Sequence, residues 1–234
     1  NPSNFNPEVA DVNDDENITA VDALLIAQFY VKMISELDCG DLEPTPDGPF
    51  ALIGWATTGS GTTGGGDSTP INVSSASDLR DALSGDNPAV VHVSGTIDAG
   101  SSSVRIDSNK TLRGTNKNAR IIGGLTVPGS NVIVQNLTIQ GKGDGGSPAD
   151  AINGSGSNLW FNHLSVFEGG DGLLDLVNGA DRVTTSWCKF YYTDSGHGHR
   201  LSLLFGNSSD KCEQDGGRQR HTLHHNWFAD MVRS

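Results

Sequence analysis

The sequence predicts an all-β solenoid of stacked coils, preceded by a short α-helical module resembling an EF-hand. Three observations lead there. Four segments, residues 131–139, 158–166, 181–190 and 220–228, align in one register, with Asn136, His163, Ser186 and His225 at the same place. They recur at roughly 23 to 40 residues, the spacing of solenoid coils with variable loops. Glycine is abundant, with 30 residues, and aromatic residues make up only 6% of the chain, which suits a turn-rich β protein better than a helical bundle. Such coils hold together because each buries its apolar face on the next.

The formal net charge of −13 argues against nucleic acid and anionic membranes as partners. It leaves an anionic polymer open, because bound calcium inverts the local charge. Of the three cysteines, Cys188 and Cys212 flank one strand-loop-strand unit and are candidates for a disulfide, with idle thiols as the alternative; Cys39 is left over. No run approaches the roughly 18 apolar residues that span a bilayer. The chain lacks an initiator Met and a signal peptide, so it reads as starting within a protein or after processing.

Residues 1–40 form the first module. Asp11, Asn13, Asp15, Asn17 and Asp22 occupy the ligand positions of a twelve-residue calcium loop, with Glu16 where glycine normally makes the turn. An acidic loop capping a helix is the plainer alternative. The following helix, residues 20–31, is apolar nearly all round and needs a surface to bury against. The D-x-N-x-D loop and the V-D-A-L-L-I run resemble one repeat of a dockerin, which implies a cohesin as partner. Dockerins use two repeats, and residues 1–7 look like the linker between them. Residues 41–50 read as an interdomain linker.

Residues 51–234 form the solenoid. The Gly- and Thr-rich stretch at 51–66 lacks a P-loop lysine and reads as a lid-like coil. Ser75 caps a helix over residues 75–83, and residues 89–97 form a buried strand. Asp150 sits beside an apolar pair, and Asp171 and Asp175 bracket Gly172-Leu-Leu174. Three acids on neighbouring strands suit one hard cation. Residues four apart on an ideal strand are separated by about 13 Å, so Asp171 and Asp175 share an ion only if the chain bends, and Gly172 is where it can.

Taken together, Ser157-Asn-Leu-Trp-Phe-Asn-His163, Asp171-Gly-Leu-Leu-Asp175, Val183-Thr-Thr-Ser-Trp187 and His224-His-Asn-Trp-Phe228 resemble the core of the pectate lyase superfamily across about residues 50–234. The resemblance implies a right-handed parallel β-helix, secretion, and calcium-dependent eliminative cleavage of polygalacturonate. It assigns the ion to Asp150, Asp171 and Asp175. Two positions depart from the family pattern. The Asp before His is Asn162, and the further acid two residues before Asp150 is Pro148, for which Asp144 is a candidate substitute.

The family's proton acceptor is an arginine in an R-x-P-R-x-R segment after H-H-N. Arg233 is the nearest, but the fuller match is expected just beyond Ser234, so residues 1–234 are expected to show little or no lyase activity alone. Arg200 falls near the family's substrate-binding lysine and suits pairing with a uronate; a surface arginine is the alternative. His224 and His225, adjacent on a strand, point to opposite faces and disfavour a zinc site built with His197, His199 and His221. A non-catalytic, adhesin-like pectin-binding solenoid and a calcium-independent pectin lyase are the competing functions. The pectin lyase wants basic residues where the three acids stand.

Overall fold

The structure, a computed structural model, describes residues 50–143, 149–193 and 198–231. The module at 1–40, with Asp11, Asn13, Asp15, Asn17 and Asp22, therefore lies outside the described residues, as do the linker before Phe50, Asp144, Pro148, His197, Arg233 and Ser234. Leu52–Ser234 forms one compact unit.

In chain order the strands are β1 (Ile71–Val73), β2 (Ala89–Val93), β3 (Thr96–Asp98), β4 (Val104–Arg105), β5 (Lys110–Gly114) and β6 (Arg120–Ile122). β7 (Leu125–Val127), β8 (Val132–Gln140), β9 (Ile152–Gly154), β10 (Ser157–Phe167) and β11 (Leu174–Leu176) follow. The last are β12 (Asp181–Ser186), β13 (Lys189–Tyr191), β14 (Leu203–Phe205), β15 (His221–His224) and β16 (Trp227–Ala229). The helix predicted at residues 75–83 is α1 (Ala76–Leu83), and the Ser75 side chain accepts from the Asp78 amide as its cap.

Every pairing is parallel, and the strands line three faces. One runs β1-β2-β5-β8-β10-β12-β15, and a second runs β4-β7-β9-β11-β14. The third joins β3, β6, the second halves of β8 and β10, β13 and β16. Side chains stack in columns inside. Val91, Leu112, Val134 and Phe161 stack on the first face, Leu125, Ile152 and Leu174 on the second, and Ile121, Ile139, Val166 and Phe190 on the third. All are buried, each worth about 1.5–3 kcal/mol of transfer free energy. The solenoid expectation holds.

The shared rung position is corrected by one residue. β10 aligns Asn162 with Gln135 and with Ser186, so the residues at the corner are Asn136, His163, Trp187 and His225, with Ser186 one step before. These four have φ of 52°, 50°, 56° and 53°, the left-handed conformation that turns the chain from the first face to the third. That conformation suits Asn and strains bulkier residues. Stacking offsets the strain: the Trp187 ring lies 4.1 Å from His225 and 6.1 Å from His163, nearly parallel to both. Asn109, Asn131, Asn158 and Arg182, also left-handed, form the opposite corner of the first face.

The coil at 53–65 is a strap running along the outer side of the first face. Thr184 donates to the Ile53 carbonyl and accepts from the Ala56 amide. Asn158 donates to the carbonyls of Ala56 and Thr58. Asn131 accepts from the amides of Thr63 and Gly64, and Thr111 from that of Gly65.

The disulfide between Cys188 and Cys212 does not form; both thiols are free. Cys188 is buried against the carbonyls of Phe161 and Ser186, and burial pushes its thiol up to about 12. Cys212 lies exposed on α2 (Cys212–Asp215), outside the coil interior.

Candidate active site

The second face carries the acids. Asp175 is the central residue of β11, in register with Asn153 of β9 and Leu204 of β14. Its neighbours Leu174 and Leu176 are fully buried, so alternation turns Asp175 outward. Asp150 precedes β9, and Asp171 lies on the irregular approach to β11. Two backbone bonds fix that approach: the Ala151 amide donates to the Gly172 carbonyl and the Asp171 amide to that of Ala149. Gly172 thus sits on the coil directly above Asp150.

Gly172, the position at which a bend is expected, leaves room beside two of the acids. A Cβ placed on Gly172 would lie 2.7 Å from one Asp175 carboxylate oxygen and 3.7 Å from Asp150 Oδ1. The glycine leaves the space into which both carboxylates project.

Electrostatics confirm the crowding. The Asp175 carboxyl is pushed up to about 7, first by burial and then by the charges of Asp150 and Asp171. Asp150 is raised too, mainly by burial and also by Asp171, against the hydrogen bond it accepts from Asn153 at 3.1 Å. Its Oδ1 is buried with no hydrogen-bond partner. Burying like charges side by side is costly without a counter-charge. Asp171 is half exposed and meets His199 Nδ1 at 2.6 Å. Among the described residues, no group of three His, Cys, Asp or Glu side chains is arranged to hold a metal ion as it stands. The three acids feel one another's charge, and Asp150 and Asp175 share the space beside Gly172, but Asp171 is turned to His199.

Two residues of this surround, Asn153 and Tyr192, were not singled out from the sequence; a third, His199, was named only among the histidines of a disfavoured zinc site. Asn153 holds Asp150 from the central position of β9, three residues further along the chain. His199 holds Asp171. Tyr192 donates to the Leu201 carbonyl at 2.9 Å, and burial with the charges of Glu168 and the three aspartates pushes its phenol upward. Neither His199 nor Tyr192 had a local pattern to reveal it, because both reach the site across loops.

Arg200 donates through Nη1 to the Asp230 carbonyl at 3.2 Å, and its buried Nε has no partner. The histidine expectation needs correction. His224 and His225 do not point apart: the left-handed His225 leaves the strand, and the two Nδ1 atoms are 2.9 Å apart, one donating to the other.

A family model described as pectate lyase matches residues 48–234. A pectate trisaccharide-lyase of Bacillus licheniformis is 30% identical over 224 residues, covering 88% of this chain and 62% of that protein. Pectate lyase E of Dickeya chrysanthemi is 31% identical over 244 residues, covering 84% of this chain and 59% of that protein. The chain thus spans about three-fifths of the length of these curated relatives. A solved Bacillus subtilis pectate lyase superposes with a TM-score of 0.68 at 23% identity, over 83% of this chain and 70% of that one, a likeness of fold. A parallel β-solenoid with the motif residues in register, matched by the family model over most of its length, makes this chain a member of the pectate lyase family.

Proposed function

We propose that this chain carries the metal-binding part of a secreted, calcium-dependent pectate lyase that cleaves (1→4)-α-D-galacturonan by β-elimination. The observation that carries the reading is the outward trio Asp150, Asp171 and Asp175, with Asp175 pushed up to about 7 and Asp150 Oδ1 lacking a partner. A donor set made of carboxylate oxygens fits calcium. Those three residues would hold it, with Asp171 exchanging His199 for the ion. Bound there, calcium would neutralise a uronate carboxylate and so make the proton on the adjacent C5 easier to remove.

The chain's own residues supply the rest. Asn153 keeps Asp150 oriented from one side. Arg200, on the following coil, would pair with a uronate of the same polymer. In the elimination, the C5 proton passes to a base, the C4–O bond breaks, and its electrons leave with the glycosidic oxygen as a C4–C5 double bond forms. The base is assigned to the arginine implied by the family pattern, at Arg233 or just after Ser234. The module at 1–40, with its own calcium loop at Asp11, Asn13, Asp15, Asn17 and Asp22 and a cohesin as partner, belongs to the same proposal.

The test uses the complete gene product, polygalacturonate and ultraviolet detection of unsaturated uronide. Product is expected with calcium, and none with a chelator or in Asp175→Asn. Undiminished product in the chelator would overturn the calcium assignment, and absence of product under all conditions would favour a binding solenoid.

A further inference from the structure

The third face carries a groove that the elimination chemistry does not use. It encloses about 280 Å³ and is lined by Thr96, Lys117, Arg120, Thr138, Phe167 and Tyr191. Its walls follow from strand register. One outward column runs Arg120, Thr138, Ser165, Lys189 and the next runs Gln140, Phe167, Tyr191. Coils are spaced about 4.8 Å apart, so Arg120 and Lys189 sit about 14 Å apart along the axis with two hydroxyls between them.

The charge here is out of keeping with the rest of the chain. Against a formal net charge of −13, the groove is lined by Lys117 and Arg120 and by no acidic residue, and Lys189 stands beside it, two residues before Tyr191 on β13. Among the described residues Arg120 makes no ion pair. It donates to the Gln140 amide oxygen and rests 5.4 Å above the Phe167 ring. Lys189 likewise makes none; its ammonium lies over the rings of Tyr191, at 4.2 Å, and Trp227, at 4.5 Å. The nearby acids are engaged elsewhere: Asp98 with Lys142 at 2.9 Å, and Glu168 with the amide and hydroxyl of Thr193. The Phe167 and Tyr191 rings are stacked 5.0 Å apart, so each turns its face to the other and its edge outward. Ring edges carry the positive end of the aromatic quadrupole and so favour an anion.

We infer that this groove is a second, calcium-independent binding site for an acidic polysaccharide, a run of unesterified uronates laid along the solenoid axis. Carboxylates pair with Arg120 and Lys189, sugar hydroxyls meet Thr138 and Ser165, and the ring edges floor the cleft. The volume lies just under the range of about 300–1,000 Å³ of small-molecule clefts, so it takes one or two sugar units of a longer chain. The site holds polymer on a face other than that of Asp150, Asp171 and Asp175. The choice of uronate rests on the proposed function; the anionic character of the ligand rests on the groove alone.

The test is calorimetry with trigalacturonate on the complete chain in the presence of a chelator, which silences the calcium site. One binding event is expected. It should weaken at least tenfold in the double variant Arg120→Gln, Lys189→Gln, and persist in Asp175→Asn. A comparison on the unaltered protein guards against misfolding of the double variant: the fully methyl-esterified trimer, which has lost its charge, should bind at least tenfold more weakly. No binding in chelator, equal binding of the esterified trimer, or full retention of binding by a folded double variant would each overturn the inference. Calcium-dependent product formation is unaffected by these outcomes, so loss of one reading leaves the other standing.

Discussion

Asp150 and Asp175 face one another across Gly172, their nearest oxygens 3.7 and 2.7 Å from the place where a side chain on that glycine would begin. A single missing methyl keeps two carboxylates in a shared space, and it does so at a residue whose backbone angle is ordinary for any amino acid.

Gly172→Ala therefore separates packing from backbone strain. The new methyl lies too close to Asp175, whose carboxylate is the free end of a side chain and can swing away. Calcium affinity is expected to drop about tenfold or more, roughly the 1.4 kcal/mol that equals a factor of ten. The melting temperature of the calcium-free protein should change little. Calorimetric titration beside a thermal melt reads both; an unchanged affinity would place the ion elsewhere.

The raised Asp175 carboxyl would give calcium binding at the proposed site a pH dependence of definite sign. Its folded value, about 7, lies above the ordinary 3.8, so the native state holds this proton more tightly than the unfolded chain does. In chelator, stability should fall as pH rises from about 4 to about 7, by about 2–4 kcal/mol at most. Calcium must displace the proton, so its affinity should weaken as pH falls below about 7, with proton release on binding. Melts across this range, with and without calcium, check the sign. An equal pH profile in both would refute the coupling.

His163 gives a second, independent pH effect. It occupies the left-handed corner between Asn136 and Trp187, and burial lowers its imidazole to about 4 from 6.5. Here the folded value lies below the unfolded one, so stability is complete above about 6.5 and is lost as pH falls toward 4, about 3 kcal/mol in all. His163→Asn places at this corner the residue already found on the coil below, one that accepts the left-handed conformation. The variant should fold and lose that part of the acid sensitivity, as melts between pH 4 and 7 would show.

The corner column also shows what was legible in the sequence. Asn136, His163 and His225 each stand five residues after Asn131, Asn158 and Arg220, so alignment on those leaders finds them. It fails at Ser186 because it starts from Asp181, the residue that looks like asparagine. The left-handed position is Arg182, a residue with no preference for it, and the count of five then ends on Trp187. The acids were legible as a group because two share a short motif and Gly172 marks the bend. Their surround was not: His199 and Tyr192 arrive across loops, and no local pattern encodes a contact made that way. The groove on the third face was equally hidden, since Arg120 and Lys189 come together only through the register of four successive strands.

A buried hydroxyl holds the first end of the strap at 53–65. Thr184 Oγ1 donates to the Ile53 carbonyl at 2.8 Å and accepts from the Ala56 amide at 3.2 Å, so it satisfies two backbone groups of the strap at once. Thr184→Val keeps the shape and removes both bonds, leaving a buried donor and acceptor unpaired at about 1–3 kcal/mol. The neighbouring anchors at Asn131 and Thr111 are untouched, so the strap should loosen at its 53–58 end and stay closed at 63–65. Amide hydrogen exchange resolves the two ends: faster exchange confined to the first is the expected result, and uniform loss of protection along the strap would mean that it detaches as one unit.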